Sequence, residues 1–363
     1  MTIFWIIALA ALVALIQATL FSTFNLKALS YERRFSRPAV QEGEAVELVE
    51  VIRNRKVLPV PWLRVESRIS PSLRFGGAAG EREIDFEQYH RSVFYLSPLC
   101  QITRRHEVTC LKRGYYPVGS VALTAGDLFA LSLTHAQKAC DCAITVYPRP
   151  LADDEVDAPS SRWQGELAVK RWILPDPFLV AGIRDGRAGD PMRDVHWRLT
   201  ARTGRLQVKV RDFTADPRAM VILNVQTSEE QWGELMDYEQ DGIERGIRLA
   251  ATLCLRALRS GVEAGFAANG CPWGRKGSGV ATFVPPRRSF DQAEAILTAM
   301  ARLTLHREVT FPTFLENLPP MRGVDILLIS CYDSPAIQRQ VRRLREAGCS
   351  VTLIGIQPGT ASI

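Results

Sequence analysis

The spacing of hydrophobic and polar positions changes three times along the chain, and each change marks a different kind of structure. Residues 1–26 have no period, because no charged side chain occurs before Lys27 and the run IFWIIALAALVALIQATLF from Ile3 to Phe21 is apolar on every side. At about 1.5 Å per residue such a run covers most of a ~30 Å hydrocarbon layer. A helix buried in a soluble core would show a polar stripe, and a signal peptide would carry Lys or Arg ahead of a shorter apolar region. Neither feature is present, so the pattern predicts an uncleaved transmembrane anchor over residues 1–26.

Between residues 27 and 150 the period becomes two. Gly43 opens GEAVELVEVIRNRK, where apolar residues interleave with glutamates up to a turn at Asn54. In WLRVES, Leu63 and Val65 alternate with Arg64 and Glu66, and RRHEVTC and SVALTAGD repeat the style between Gly, Pro and Asn punctuation. No stretch holds a helical period beyond two turns. Strands of this kind predict a β-sandwich-like domain.

Residues 151–216 open with an acidic, proline-containing passage (Asp153, Asp154, Glu155, Asp157, Pro159, Pro175, Pro177), read as a linker. Residues 182–212, GIRDGRAGDPMRDVHWRLTARTGRLQVKVRD, then predict a short helix, a tight turn and a strand. Asp190 suits the N-cap and Pro191 the first helical position. Val195 and Leu199 share a helix face, and Gly204 suits a left-handed stop. Leu206, Val208 and Val210 then alternate with polar residues, as in a half-buried strand.

From 217 to 363 strand and helix periods alternate. AMVILNV, VEAGFAA, GVATFV, VDILLIS and SVTLIGI read as strands. Ile243, Ile247, Ala250, Cys254 and Leu258 share one helix face, with Gly261 ending the helix. Ser289 and Gln292 form a capping-box pattern, and Ser334-Pro335 opens a helix that Gly348 stops. This alternation predicts a largely parallel sheet with helices on both faces.

Composition narrows the picture. The chain has 363 residues, 47% hydrophobic and 23% charged, with a net charge of +6. That excludes wholesale disorder, collagen-like repeats and a polytopic membrane protein. The eight cysteines (100, 110, 140, 142, 254, 271, 331, 349) form no CxxC pair, and Cys140 and Cys142 lack a second pair to complete a zinc site. They read as reduced core residues in a reducing compartment. Lys27, Arg33, Arg34 and Arg37 follow the apolar span and nothing basic but the α-amino group precedes it, which predicts that the bulk of the chain is cytoplasmic. His90, His106 and His135 have unrelated spacings with no HxH or HxxxH pair, and read as surface or satisfied strand histidines.

Residues 184–212 hold eight Arg/Lys (184, 187, 193, 198, 202, 205, 209, 211) against four Asp (185, 190, 194, 212). Arg184, Arg193, His196, Trp197, Arg198, Arg202, Arg205 and Lys209 form the candidate interaction surface. Such a surface suits an acidic partner, phosphates or an anionic inner leaflet; equally, it suits a solvated face with internal Arg–Asp pairs. Few aromatics and no binding motif argue against nucleic acid.

Catalytic patterns fail. There is no GxSxG, GxGxxG or HExxH. GCPWGRKGSG (270–279) lacks phosphate-loop spacing, since residue 275 is Arg, and reads as a basic hairpin connection. A triad of His196, Asp190 and Thr200 or Thr203 is disfavoured because Asp190 reads as a cap and the threonines lie a turn away.

The run AGIRDG–GDP–R–VHWRLTARTGRLQVK resembles the signature of the bacterial domain-of-unknown-function 58 family. KRGYYPVGSVALTAGDLFAL (112–131) is similar to the end of that family's β-rich region, and DGIERGIRLAATL (241–253) to a helix of its C-terminal domain. Gly186 departs from the pattern, where relatives usually carry an aromatic residue. The resemblance implies an α+β multidomain protein: transmembrane anchor 1–26, β-sandwich-like domain 27–150, linker and basic segment 151–216, and a von Willebrand factor A-like, Rossmann-like α/β domain 217–363. Such domains often hold Mg²⁺ on a DxSxS loop. The corresponding Asn224-Val225-Gln226-Thr227-Ser228 lacks the carboxylate that a hard cation needs, so no metal and no cofactor is expected. The resemblance further implies a MoxR-type AAA+ ATPase as protein partner. The expected work is that of a non-catalytic scaffold or adaptor in an envelope-associated complex at the bacterial inner membrane. The alternative is an enzyme acting on a cell-envelope substrate through the basic segment.

Overall fold

The computed structural model describes residues 2–76, 88–128, 132–152, 155–156, 180–187, 190–211, 218–231, 235–277, 279–307 and 309–356. The chain divides into two compact units, Met1–Arg149 and Pro150–Ile363. Most of the acidic passage read as a linker lies outside the described residues.

The first unit opens with α1 (Thr2–Phe24), a helix long and apolar enough to cross a membrane. Among the described residues nine strands follow: β1 (Leu29–Phe35), β2 (Ala39–Gln41), β3 (Ala45–Asn54), β4 (Val60–Ile69), β5 (Leu73–Gly76), β6 (Gln88–Leu96), β7 (Gln101–Cys110), β8 (Gly114–Gly126) and β9 (Leu133–Tyr147). They form two sheets, ordered β1-β3-β7-β5 and β2-β9-β8-β4-β6. Inward residues of both sheets meet in two apolar clusters, one around Leu48, Ile69, Val108 and Ile144, the other around Ile52, Leu63, Phe94 and Leu123.

A buried charged pair departs from simple alternation. On β3 the buried positions are Val46, Leu48, Glu50, Ile52 and Asn54. Glu50 therefore points inward, not outward as the interleaved-glutamate pattern implied, because Val49 and Val51 take the outer positions. Arg33 on β1 is Cα partner of Glu50 and is likewise buried. It contributes nothing to the basic flank behind the apolar span.

Among the described residues of the second unit, an antiparallel pair, β10 (Val180–Asp185) and β11 (Gln207–Arg211), encloses a short 3₁₀ turn at Met192–Asp194 and helix α2 (Trp197–Thr203). Gly204 adopts φ 69° and stops α2 in the left-handed region, as expected. The larger sheet is ordered β15 (Thr282–Arg287), β13 (Glu263–Ala268), β12 (Arg218–Leu223), β17 (Val324–Ser330), β18 (Ser350–Gly355). All of its pairings are parallel except β13 with β15. Helices α3 (Asp237–Arg259) and α4 (Gln292–Arg302) cover one face, while α5 (Phe311–Glu316) and α6 (Pro335–Glu346) cover the other. A two-stranded pair, β14 (Gly270–Pro272) with β16 (Leu303–Arg307), lies where the sequence suggested only a basic connection.

Of the two serine starts expected here, one caps its helix and one does not. Ser334 caps α6 by accepting from Ile337 N at 3.3 Å. Ser289 does not cap α4, whose N-cap is Asp291. Gln292 instead turns its amide into the core and donates to the carbonyls of Ala264 (2.7 Å) and Pro285 (2.9 Å). All eight cysteines are free, and five are buried.

Candidate functional site

The basic segment is a small folded module. Val195 and Val208 are buried against each other's strands through an isolated antiparallel bridge. His196 N donates to Gln207 O at 2.8 Å, and Gln207 N donates to Thr200 Oγ1 at 3.0 Å, so helix α2 is tied to β11 at two points. His196, not Asp190, is the N-cap of α2: its Nδ1 accepts from Leu199 N at 3.1 Å. The proline at 191 starts only the 3₁₀ turn, since Val195 (ψ 130°) returns to an extended conformation before α2 begins.

Asp190 has a different role. Its carboxylate receives both guanidinium nitrogens of Arg184, at 2.6 and 2.9 Å, and the Arg187 backbone N–H at 2.6 Å. Those bonds, Arg184's first, hold the Asp190 carboxyl below its usual range. Gly186 sits beneath Leu206, whose Cδ2 would lie 2.6 Å from a Cβ placed there. The leucine side chain fills the space that an aromatic residue at 186 would need.

The remaining candidates are turned outward. Arg193, Trp197, Arg198, Arg202 and Arg205 are exposed, and Lys209 is half-buried. Among the described residues none of these five cations forms a salt bridge. Trp197 is 60% and Met192 66% exposed beside them. The structure thus splits the eight candidates: Arg184 and His196 hold the module together, and the other six present charge and an aromatic ring to solvent.

The carboxyl ends of β12 and β17 flank the point where the strand order reverses, the usual ligand position in open α/β sheets. Four neutral polar residues fill it, all buried: Asn224, Gln226, Asn269 and Ser330. Asn224 Nδ2 donates to Ser330 Oγ (3.0 Å), and its Oδ1 accepts from Gln226 N (3.0 Å). Gln226 Oε1 accepts from Phe311 N (2.8 Å) and Asn269 Nδ2 (3.2 Å), and Asn269 Oδ1 accepts from Val225 N (2.8 Å). The amides bond one another and the backbone, and no carboxylate is among them. This donor set does not fit a hard divalent cation.

One cluster was missed from sequence. Glu50, His90 and His106 offer ligand atoms within 4.8 Å of one another inside the first unit. Glu50 Oε1 accepts from Tyr31 Oη (2.7 Å) and Arg33 Nε (3.0 Å) and makes a buried ion pair with Arg33 Nη2, while Oε2 lies 3.1 Å from His106 Nε2. Arg33 Nη1 reaches across to Ser67 Oγ on the other sheet at 2.8 Å. His90 stacks on Phe75 at 4.6 Å and lies 3.1 Å from Ser92 Oγ. Burial alone would raise the Glu50 pKa, but the His106 bond, the Arg33 charge and the Tyr31 bond hold it well below the usual carboxylate range. Burial pushes His90 down to about 4. Two histidines and a carboxylate are zinc-type ligands. Here, however, the guanidinium already neutralises the carboxylate, and a second cation beside Arg33 would meet strong repulsion at low dielectric. The cluster fits a hydrogen-bonded charge layer between the sheets better than a metal centre. The only sequence signal for it was a set of polar residues at inward positions of β1, β3, β4 and β6.

A family model described as a protein of unknown function, DUF58, matches residues 182–342. No curated protein matches the chain. Among solved structures, the chain is similar to the CARDB domain of the PF1109 protein from Pyrococcus furiosus, with 13% identity, TM-score 0.19, and 31% of this chain against 94% of that one covered. It is also similar to a cohesin from Acetivibrio cellulolyticus scaffoldin B, with 10% identity, TM-score 0.23, and coverage of 32% and 99%. Overlaps this slight bear on neither fold nor function.

Proposed function

We propose that the chain is a membrane-anchored DUF58-family adaptor, with its bulk in the cytoplasm of a bacterium, and that residues 184–209 dock an acidic face of a protein partner. The observation that carries this reading is the state of the basic module: five exposed or half-exposed cations without ion pairs among the described residues, around a tryptophan that is 60% exposed. Trp and Arg are the side chains most enriched at binding hot spots. Arg184, by contrast, has both terminal guanidinium nitrogens bonded to Asp190 within the module.

Further support comes from the second unit. Its strand order, third-second-first-fourth-fifth with the third antiparallel, suits a von Willebrand factor A-like domain. The match to residues 182–342 joins the basic module and most of that domain in one family pattern. The partner we propose is a MoxR-type AAA+ ATPase. The free cysteines suit a reducing compartment.

The test is affinity of the full chain, held in lipid nanodiscs, for the co-encoded ATPase. Arg198→Glu, Arg205→Glu and Lys209→Glu are compared with Arg342→Glu on α6 as control. Charge reversals in the module should each weaken binding several-fold and the control should not. Unchanged affinity for all three reversals, with the proteins still folded, would remove this surface from the adaptor reading.

A further inference from the structure

The β8–β9 hairpin runs alongside the apolar helix instead of ending in water. Gln17 Nε2 donates to Asp127 Oδ2 at 2.6 Å, Thr134 Oγ1 to Ser22 O at 3.3 Å and Asn25 Nδ2 to Gly126 O at 2.8 Å. Ala14, Gln17, Ala18, Phe21 and Asn25, one face of α1 and its end, are covered to different degrees, with Phe21 and Asn25 buried. Gln17 lies seven residues before Phe24, so the hairpin reaches roughly 10 Å back along the helix at about 1.5 Å per residue.

The hairpin tip has the wrong chemistry for a loop in water. Gly, Pro, Asn, Asp and Ser dominate aqueous turns, whereas Leu128 and Leu133 stand at the two ends of this one. Leu128 is 63% and Leu133 51% exposed. Asp127, a charged group at this level, is itself fully buried, and accepts from Gln17 and from Ser132 N (3.3 Å). A bonded, covered carboxylate is tolerable at a depth where a bare one is not. The end of α1 is held in the same neighbourhood: Lys56 Nζ donates to Phe24 O at 2.6 Å and also to Asn25 O, and Leu99 N donates to Lys56 O at 3.1 Å. That places exposed Val57 and Leu99 beside Lys27 and Arg55, an apolar and basic combination suited to an anionic lipid surface.

We infer that Leu128 and Leu133, which face outward where β8 ends and β9 begins, are inserted into the headgroup–acyl boundary of the bilayer that α1 crosses, so that the first unit sits on the membrane along a fixed edge rather than hanging from a flexible tether. The inference rests on the anchor reading of α1 and goes beyond it. Continuity with the apolar helix, at the depth of Gln17, selects lipid as the occupant.

The experiment places a photoreactive benzophenone amino acid in the full chain in nanodiscs of mixed zwitterionic and anionic phospholipid. Sites are Leu128, Leu133, Ile7 within α1, and Leu111 as control. Leu111 is 37% exposed and lies beyond the opposite end of β8, roughly 40 Å from the tip at about 3.3 Å per residue. Lipid adducts at Leu128 and Leu133 should approach the Ile7 yield and exceed Leu111 by an order of magnitude. Adducts at Ile7 but not at 128 or 133, or adducts there to protein instead of lipid, overturn the inference and leave the anchor standing. Loss of adducts at Ile7 as well overturns both.

Discussion

The same side-chain types do opposite work in the two units. Arg33 and Glu50 are fully buried, face each other across β1 and β3, and are bonded to Tyr31, Ser67 and His106. Arg193, Arg198, Arg202 and Arg205 are exposed and form no salt bridge among the described residues. Burial forces a charge to find partners, and once found they leave nothing for a second molecule. Exposed arginines held on a small rigid module keep their donors available. Charge density along the sequence does not separate the two cases: Arg33 and Glu50 take inward positions on paired strands, whereas Arg193, Arg198 and Arg202 lie on a 3₁₀ turn and a short helix, with Arg205 just beyond it.

The largest expected effect comes from breaking the buried pair. Glu50→Gln leaves Arg33 charged and uncompensated in the core, which should cost the first unit about 3–5 kcal/mol. Hydrogen exchange localised to β3 and β7 reads this directly. The double replacement Arg33→Met with Glu50→Leu should recover part of the loss. ATPase binding should survive in whatever fraction remains folded, because the docking surface lies elsewhere.

Acid should separate the units next. His90 has a folded pKa of about 4 against an ordinary 6.5. Between those values the unfolded chain binds a proton that the folded chain does not, so stability falls as pH drops from 6.5 to 4. The full effect is about 3 kcal/mol. Glu50, held below its ordinary 4.5, adds a further loss as pH falls below that value. The amide network of Asn224, Gln226 and Asn269 has no such group. Exchange protection in β7 should therefore weaken from pH 7 to pH 5, after correction for intrinsic rates, while β12 and β17 stay unchanged. Equal weakening in both units would remove His90 as the cause.

The neutral network gives a smaller number. Asn269→Ala orphans Val225 N and one acceptor site of Gln226, worth roughly 1–3 kcal/mol, read as a lower melting temperature of the second unit. Smallest of all is the response to Mg²⁺, which should leave that temperature unchanged, since only native-state binding stabilises. A rise of several degrees, abolished by Ser228→Ala, would put an ion at the sheet edge.

Local periodicity made much of the fold legible. Ile243, Ile247, Ala250 and Cys254 announced the α3 face, Gly204 the left-handed stop of α2, and Leu63 and Val65 the inward side of β4. What stayed hidden depended on register between distant strands. Glu50 and His106 are 56 positions apart and meet only because β3 pairs with β7. Asp190 looked like a helix cap because an Asp-Pro pair usually is one; the Arg184 fork, brought opposite it at the end of β10, claimed the carboxylate and left the cap to His196. The hairpin beside α1 was hidden for the same reason: Gln17 and Asp127 are 110 positions apart and meet only in the folded chain.

The most direct measurement is the association rate of the full chain in nanodiscs with the ATPase, at low and high ionic strength, for the wild type and for Arg198→Glu combined with Arg205→Glu. Docking through exposed, unpaired cations predicts a wild-type rate that falls as salt screens the approach and a variant rate that is slower at low salt and nearly insensitive to it. The variant's thermal stability should stay within about 0.5 kcal/mol of wild type. Identical rates and identical salt dependence for both proteins would contradict the proposal that residues 184–209 are the surface by which this chain meets its partner.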